Sequence, residues 1–358
     1  LAAGTGGTVS GAGTFTHGTD ANVTATPAAG YKFTGWTGSG AADANSASTT
    51  VSMTQARSLT AAFAKMTYAL AISAGTGGTA TGSGTFEHGT DANVSATPGT
   101  GYSFSGWTGA GVADANATTT TVSMTQDRNV SAAFTLNSYA LTLAAGTGGT
   151  VTGAGTYSHG TDANVTATPA AGYKFTNWTG TGAADANASS TTVSMTQARS
   201  LTANFETAKY ALTLAVSPAG AGVVAGAGSY AHGATVNLSA IPATGYRFLN
   251  WTGDSPADAN ASVTTISLTA PATLTANFEK IPYLVTATTS PSAAGTITGA
   301  GVHLHGASVT LTASPAAGYL FDHWSGYSFA TPSNASQTFA VDANHTLTAH
   351  FSPKPITV

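Results

Sequence analysis

Pro169-Ala170-Ala171-Gly172-Tyr173-Lys174-Phe175-Thr176-Asn177-Trp178 is the densest stretch of the chain, and its reading decides the fold. Pro169 cannot donate to a ladder, so it stops the strand before it. Gly172 supplies a turn. Tyr173 and Phe175 then stand two residues apart, on one side of the next strand, as an extended chain requires. Trp178 breaks that phase, so a bulge or tight turn must re-aim the indole. Upstream, Tyr139, Leu141 and Leu143 alternate with small or polar residues, Val151 and Tyr157 mark two short strands, and Val165 and Ala167 share a face. Downstream, Val193 and Met195 form one strand face, and Leu201, Ala203 and Phe205 form the last. No stretch carries a 3.6-residue apolar period, so the unit reads as all-β with at most one helical turn.

The same grammar recurs five times. Tryptophan stands at Trp36, Trp107, Trp178, Trp251 and Trp324, at two equal intervals followed by two equal and slightly longer ones. Histidine precedes each Trp at one fixed offset, at His17, His88, His159, His232 and His305. Phenylalanine follows each Trp at another fixed offset, at Phe63, Phe134, Phe205, Phe278 and Phe351. With both offsets fixed, the two extra residues of copies four and five fall in the hairpin upstream of the histidine, where Ala215 to Gly222, containing Ser217-Pro-Ala-Gly-Ala-Gly222, replaces Ala144 to Gly149. The expected domains are 1–65, 66–136, 137–207, 208–280 and 281–353, with 354–358 a tail or the start of a further repeat. Tyr68 stands five positions after Phe63, and the same spacing recurs at the next three joints, which allows little independent tumbling.

Composition narrows the function classes. Charged residues are 7% of the chain and the net charge is −4, against roughly 25% charged residues in ordinary domains. Nucleic acid is excluded as a partner, because it needs a basic surface to neutralise phosphates. No apolar run is long enough to span a membrane. The chain has no cysteine, so neither disulfides nor thiolate metal sites support units this small.

Several recurring residues invite a functional reading beside a structural one. The repeated His could ligate metal with Asp20, Asp91 and Asp162, but Thr235 and Ser308 replace the carboxylate in copies four and five. A turn histidine bonded to backbone is the expectation. Asp43-Ala-Asn45, Asp114-Ala-Asn116, Asp185-Ala-Asn187 and Asp258-Ala-Asn260 hint at a calcium loop, yet each has too few carboxylates, which favours an Asx turn. The five Trp either stack on sugar rings or fill a small core, and the core is expected. Sequons such as Asn22, Asn164 and Asn237 are unsurprising in a chain this rich in Asn, Ser and Thr. No acid/base, triad or phosphate-loop arrangement persists, so catalytic, cofactor-binding and metal-ligating residues are all expected to be none.

Gly18 to Trp36, closed by Leu59-Thr-Ala-Ala-Phe63, resembles the divergent internalin-type B-repeat of bacterial surface proteins. The resemblance covers all five units. It implies small, all-β units in a tandem array, β-grasp-like in fold, on the bacterial cell surface outside the cell. It brings no catalytic residues and no cofactor. Copies one and three differ at only eight of 56 aligned positions, whereas copies four and five have drifted and keep the turn formers and large apolar groups. The expected role is a stalk, spacer or fibre-forming segment of an adhesin, not an enzyme; a multivalent, weak glycan-binding module is the alternative. Expected partners are other copies of the chain or neighbouring repeats, with cell-surface glycans as the alternative. Leu1 aligns with Leu143, and Pro355 to Val358 align with Pro282 to Val285. A fragment of a longer array explains both alignments; so does strand donation, in which one tail completes the first unit of the next chain.

Overall fold

The computed structural model describes residues 1–356, so Thr357 and Val358 of the expected tail lie outside it. No helix occurs among the described residues. Seven strands make a copy. In copy two they are Thr67–Ala74, Gly78–Thr81, Gly84–Glu87, Thr90–Pro98, Tyr102–Thr108, Thr119–Met124 and Arg128–Leu136. The odd-numbered strands form a four-stranded sheet in the order fifth, seventh, first, third, and the even-numbered strands form a three-stranded sheet in the order sixth, fourth, second. The chain therefore crosses from one sheet to the other at every turn.

Alternation along each strand builds the core between the sheets. Ala92, Val94 and Ala96 point inward from the fourth strand, and Asn93, Ser95 and Thr97 point out. Leu70, Trp107, Val122, Met124, Val130 and Ala132 close around them, each 4% exposed or less. A fully buried aliphatic side chain of this kind contributes about 1.5–3 kcal/mol. The bulge expected before tryptophan is present: the ladder between the fifth and seventh strands slips between Phe104 and Gly106, and Trp107 turns inward. The same slip occurs at Phe33/Gly35, Phe248/Asn250 and Phe321/His323.

The chain divides into two compact units. The first comprises Leu1–Ala144, Val151–Thr166 and Trp178–Thr202; the second comprises Ala145–Thr150, Ala167–Asn177 and the chain from Ala203 onward. In the first unit, copy two is complete. Copy one follows the same plan, but its larger sheet has three strands, Ala2–Ala3, Leu59–Lys65 and Tyr31–Gly38. In the second unit, copies four and five both repeat the seven-strand order, around cores centred on Trp251 and Trp324.

One pairing is parallel. The first and last strands of a copy lie side by side, from Leu70 opposite Arg128 to Ala74 opposite Ala132 in copy two. Copy four pairs Leu212 with Ala272 through Ser217 with Asn277, and copy five pairs Val285 with His345 through Ser290 with His350.

Leu274, with no exposed surface in copy four, tests the two-sheet core. Leu274→Ala should cost roughly 2–5 kcal/mol and appear as a separate, early urea transition. Thr273→Ala, one residue away on the exposed face, should move the curve by under about 0.5 kcal/mol.

Candidate functional site

Each tryptophan is a core residue and also a staple. Trp36, Trp107, Trp178, Trp251 and Trp324 are 2–5% exposed, which removes them as open stacking platforms for sugars. Each indole Nε1–H donates to a carbonyl in the loop ahead: Ser46 at 3.0 Å, Ala117 at 2.9 Å, Ala188 and Ala261 at 3.1 Å, and Ala335 at 3.2 Å. The Trp backbone N–H takes a second hold on that loop, at the carbonyls of Ala44, Ala115, Ala186, Ala259 and Pro332. A buried indole N–H left without a partner would cost free energy, so the core and the loop fix each other.

Inside the loop the Asp-Ala-Asn motif forms the expected Asx turn. The N–H of Asn45, Asn116, Asn187 and Asn260 donates to Oδ1 of the preceding Asp at 2.8–2.9 Å. The N–H of the Asp itself donates to a Thr hydroxyl further along the loop, as Asp114 does to Thr120 at 3.0 Å. Each loop carboxylate thus has a local structural role. Among the described residues, no three His, Asp or Glu side chains gather closely enough to hold a metal ion.

The recurring histidine lies at the joint between copies, in both units. In the first unit, His88 and His159 pack on Gly30 and Gly101 of the preceding copy. In the second, His232 and His305 pack on Gly172 and Gly245. A Cβ on any of these four glycines would overlap the imidazole ring, and each glycine has φ between +78° and +81°, where side chains are strained. On its other side each ring meets a tyrosine, Tyr68, Tyr139, Tyr210 or Tyr283, at centroid distances of 5.9–6.0 Å.

Two backbone hydrogen bonds lock this seat. Met66 N–H donates to Gly30 O, and His88 N–H donates to Met66 O, both at 2.8 Å. Asn137, Ala208 and Ile281 make the same pair of bonds at the later joints. The expected bond from the histidine side chain to backbone is not what holds it: Nδ1 of His88, His159, His232 and His305 is buried with no hydrogen-bond partner. The main chain makes the polar contact, and the ring contributes packing. His17 of copy one is exposed.

Sequence reasoning also missed a cross-strand pair beside the bulge. Gly35 faces Ala62, Gly106 faces Ala133, Asn250 faces Asn277 and His323 faces His350. Asn277 Nδ2 donates to Asn250 Oδ1 at 2.9 Å, Asn204 Nδ2 donates to Asn177 Oδ1 at 3.2 Å, and the two histidine rings stack at 4.4 Å. Partners match in every copy, and their constant separation along the chain was the signal that could have revealed them. Ion pairs sit on the larger sheets: Lys65–Glu87, Lys174–Glu206 and Arg247–Glu279 at 2.7–3.2 Å. A hydrogen bond from Lys174 and its charge hold the Glu206 carboxyl below its usual range. These pairs are open to solvent and add little to stability.

Large side chains committed to a core, a stapled loop and a joint define a tandem-repeat scaffold of small two-sheet modules. The chain belongs to the divergent InlB B-repeat domain family, which matches residues 1–67, 68–138, 139–209, 212–282 and 285–355. No curated protein matches the chain. Among solved structures, the Bacillus anthracis TIE protein is similar at 9% identity, over 94% of this chain and 71% of that one, with a TM-score of 0.34.

Gly245→Ala should open the fourth joint and expose the Ile281 linker to limited proteolysis. Gly318→Ala is the matched control, because Gly318 also has a positive φ but nothing within 4 Å of an added Cβ. It should leave cleavage at Ile281 unchanged.

Proposed function

We propose that this chain is a structural, non-enzymatic repeat region of a bacterial cell-surface protein, serving outside the cell as a stalk, spacer or fibre-forming segment of an adhesin. One observation carries the reading: the same joint is rebuilt four times, with a single residue between the last strand of one copy and the first strand of the next. Repetition with fixed joints sets reach, and burial of every tryptophan leaves reach as the property the copies share. Family membership supports the surface setting. The domain limits proposed are those read from the repeat period.

A glycan-binding role would have to use a different face from the aromatic one. The outer face of the three-stranded sheet is a field of short hydroxyls and amides, such as Thr79, Thr97, Asn93, Thr121 and Ser95 in copy two, without a lysine or arginine. A groove lined by Leu1, Phe15, Val23, Val51, Met53 and Leu59 occupies the place that Leu70 fills in copy two. A strand with an apolar residue at that place would fill it, whether supplied by chain preceding Leu1 or by the tail of another copy.

Displaying a small binding reporter on a bacterial surface above two, three or five copies tests the spacer. Capture of large, surface-bound targets should rise with copy number, while the copies alone show no retention on a broad glycan panel. Capture that is independent of copy number, together with glycan retention, would replace the spacer with the binding module. Deleting 354–358 should abolish any end-to-end polymer seen by sedimentation; polymers that persist would exclude tail donation.

A further inference from the structure

We infer that each complete copy is a mechanical clamp, so that the chain bears load along its length. The inference deepens the stalk reading and rests on it for its biological meaning. Its basis is the parallel pairing of the first and last strands. Chain enters a copy at one end of the first strand and leaves at the opposite end of the last strand, its immediate neighbour. Tension between these points slides the two strands past each other. The ladder bonds lie across the direction of pull, so they are loaded together; in a hairpin pulled open at its ends, each bond would be loaded in turn.

Details at the pair fit that use. In copy five, six residue pairs run from Val285/His345 to Ser290/His350. Hydroxyls add rungs across it: Thr286 Oγ1 donates to Thr346 Oγ1 at 3.0 Å, and Thr288 and Thr348 hydroxyls meet at 3.3 Å. The start of the first strand is pinned to the turn before the last: Leu284 N–H donates to Asn344 Oδ1, and Ala69 N–H to Asp127 Oδ1, both at 2.8 Å. At the far end of the shorter pair in copy two, Gly75 N–H extends the ladder to Ala132 O at 2.8 Å. Load then passes to the next copy with one residue between, Met66, Asn137, Ala208 or Ile281, and that residue is itself hydrogen-bonded in the joint. There is little slack for tension to take up before the clamp feels it.

The test is single-molecule pulling on the full chain. It has no cysteine, so paired cysteine handles can be placed at will. Handles at Pro282→Cys and Pro353→Cys pull copy five across its parallel pair. Handles at Pro282→Cys and Leu304→Cys pull apart the ends of the antiparallel pair in which Pro282 faces Leu304. All three sites are exposed, so the folded copy is the same in both experiments. At equal loading rate, the first geometry should need a severalfold higher rupture force. Equal forces, or a lower one for the first geometry, would overturn the clamp.

Pulling the whole chain from its ends gives an internal comparison. Copies two, four and five should yield at similar high force, each releasing chain on the order of 200 Å. Copy one, where only Ala2 and Ala3 pair with Thr60 and Ala61, should yield first and lower. High resistance from copy one equal to the others would also sink the inference. A weak clamp would leave the surface-display result untouched, and a failed display experiment would leave the pulling result intact.

Discussion

One indole per copy, closed in between two sheets and hydrogen-bonded through Nε1, is the contact on which the rest depends. A unit of about 70 residues lies near the lower limit for a self-sufficient core, and this chain has no disulfide to help. The indole serves three neighbours at once. It fills the space between the sheets, its ring nitrogen holds the loop that follows, and its backbone stands at the bulge that aims it inward. Moving it would loosen the core, the loop and the ladder together. That triple duty explains why Trp251 and Trp324 keep their place in copies four and five, where many surface residues have changed.

Much of the fold could be read from the sequence because its rules are local. Val165 and Ala167 two residues apart define a strand face, Pro169 marks its end, and Trp178 out of phase with Phe175 marks a bulge. The Asx turn was equally legible, since Asp and Asn two residues apart make it with their own atoms. What escaped depends on residues far apart in the chain. Local periodicity cannot say that Leu70 lies beside Arg128, or that successive strands belong to different sheets. The histidine shows the same limit. Its persistence marked it as structural, but its seat is a glycine of the preceding copy, as Gly30 is for His88 and Gly245 for His305.

The joint and the clamp use the same economy. Each needs two surfaces that every copy already carries, one near its start and one near its end. The glycine turn before Tyr102 receives the next histidine, and the strand that ends at Leu136 hands the chain to Asn137. Nothing beyond the repeat itself is required to add another copy. Variation in length is confined to the hairpin upstream of the histidine, as at Ala215 to Gly222, which can lengthen without disturbing either surface.

Near-identical neighbours on one chain carry a hazard during synthesis. The last strand of one copy is nearly the right partner for strands of another, and such exchange traps repeat proteins in swapped states. The matched pair beside the bulge differs between some neighbouring copies. A last strand carrying Asn204 finds no amide partner opposite Gly106, and one carrying His350 finds no ring to stack on opposite Asn250. Misassembly between copies two and three, or four and five, leaves a mismatch that correct assembly lacks. The pair thus sets copy two apart from copy three and copy four from copy five, while copies one and two share Gly with Ala and copies three and four share Asn with Asn.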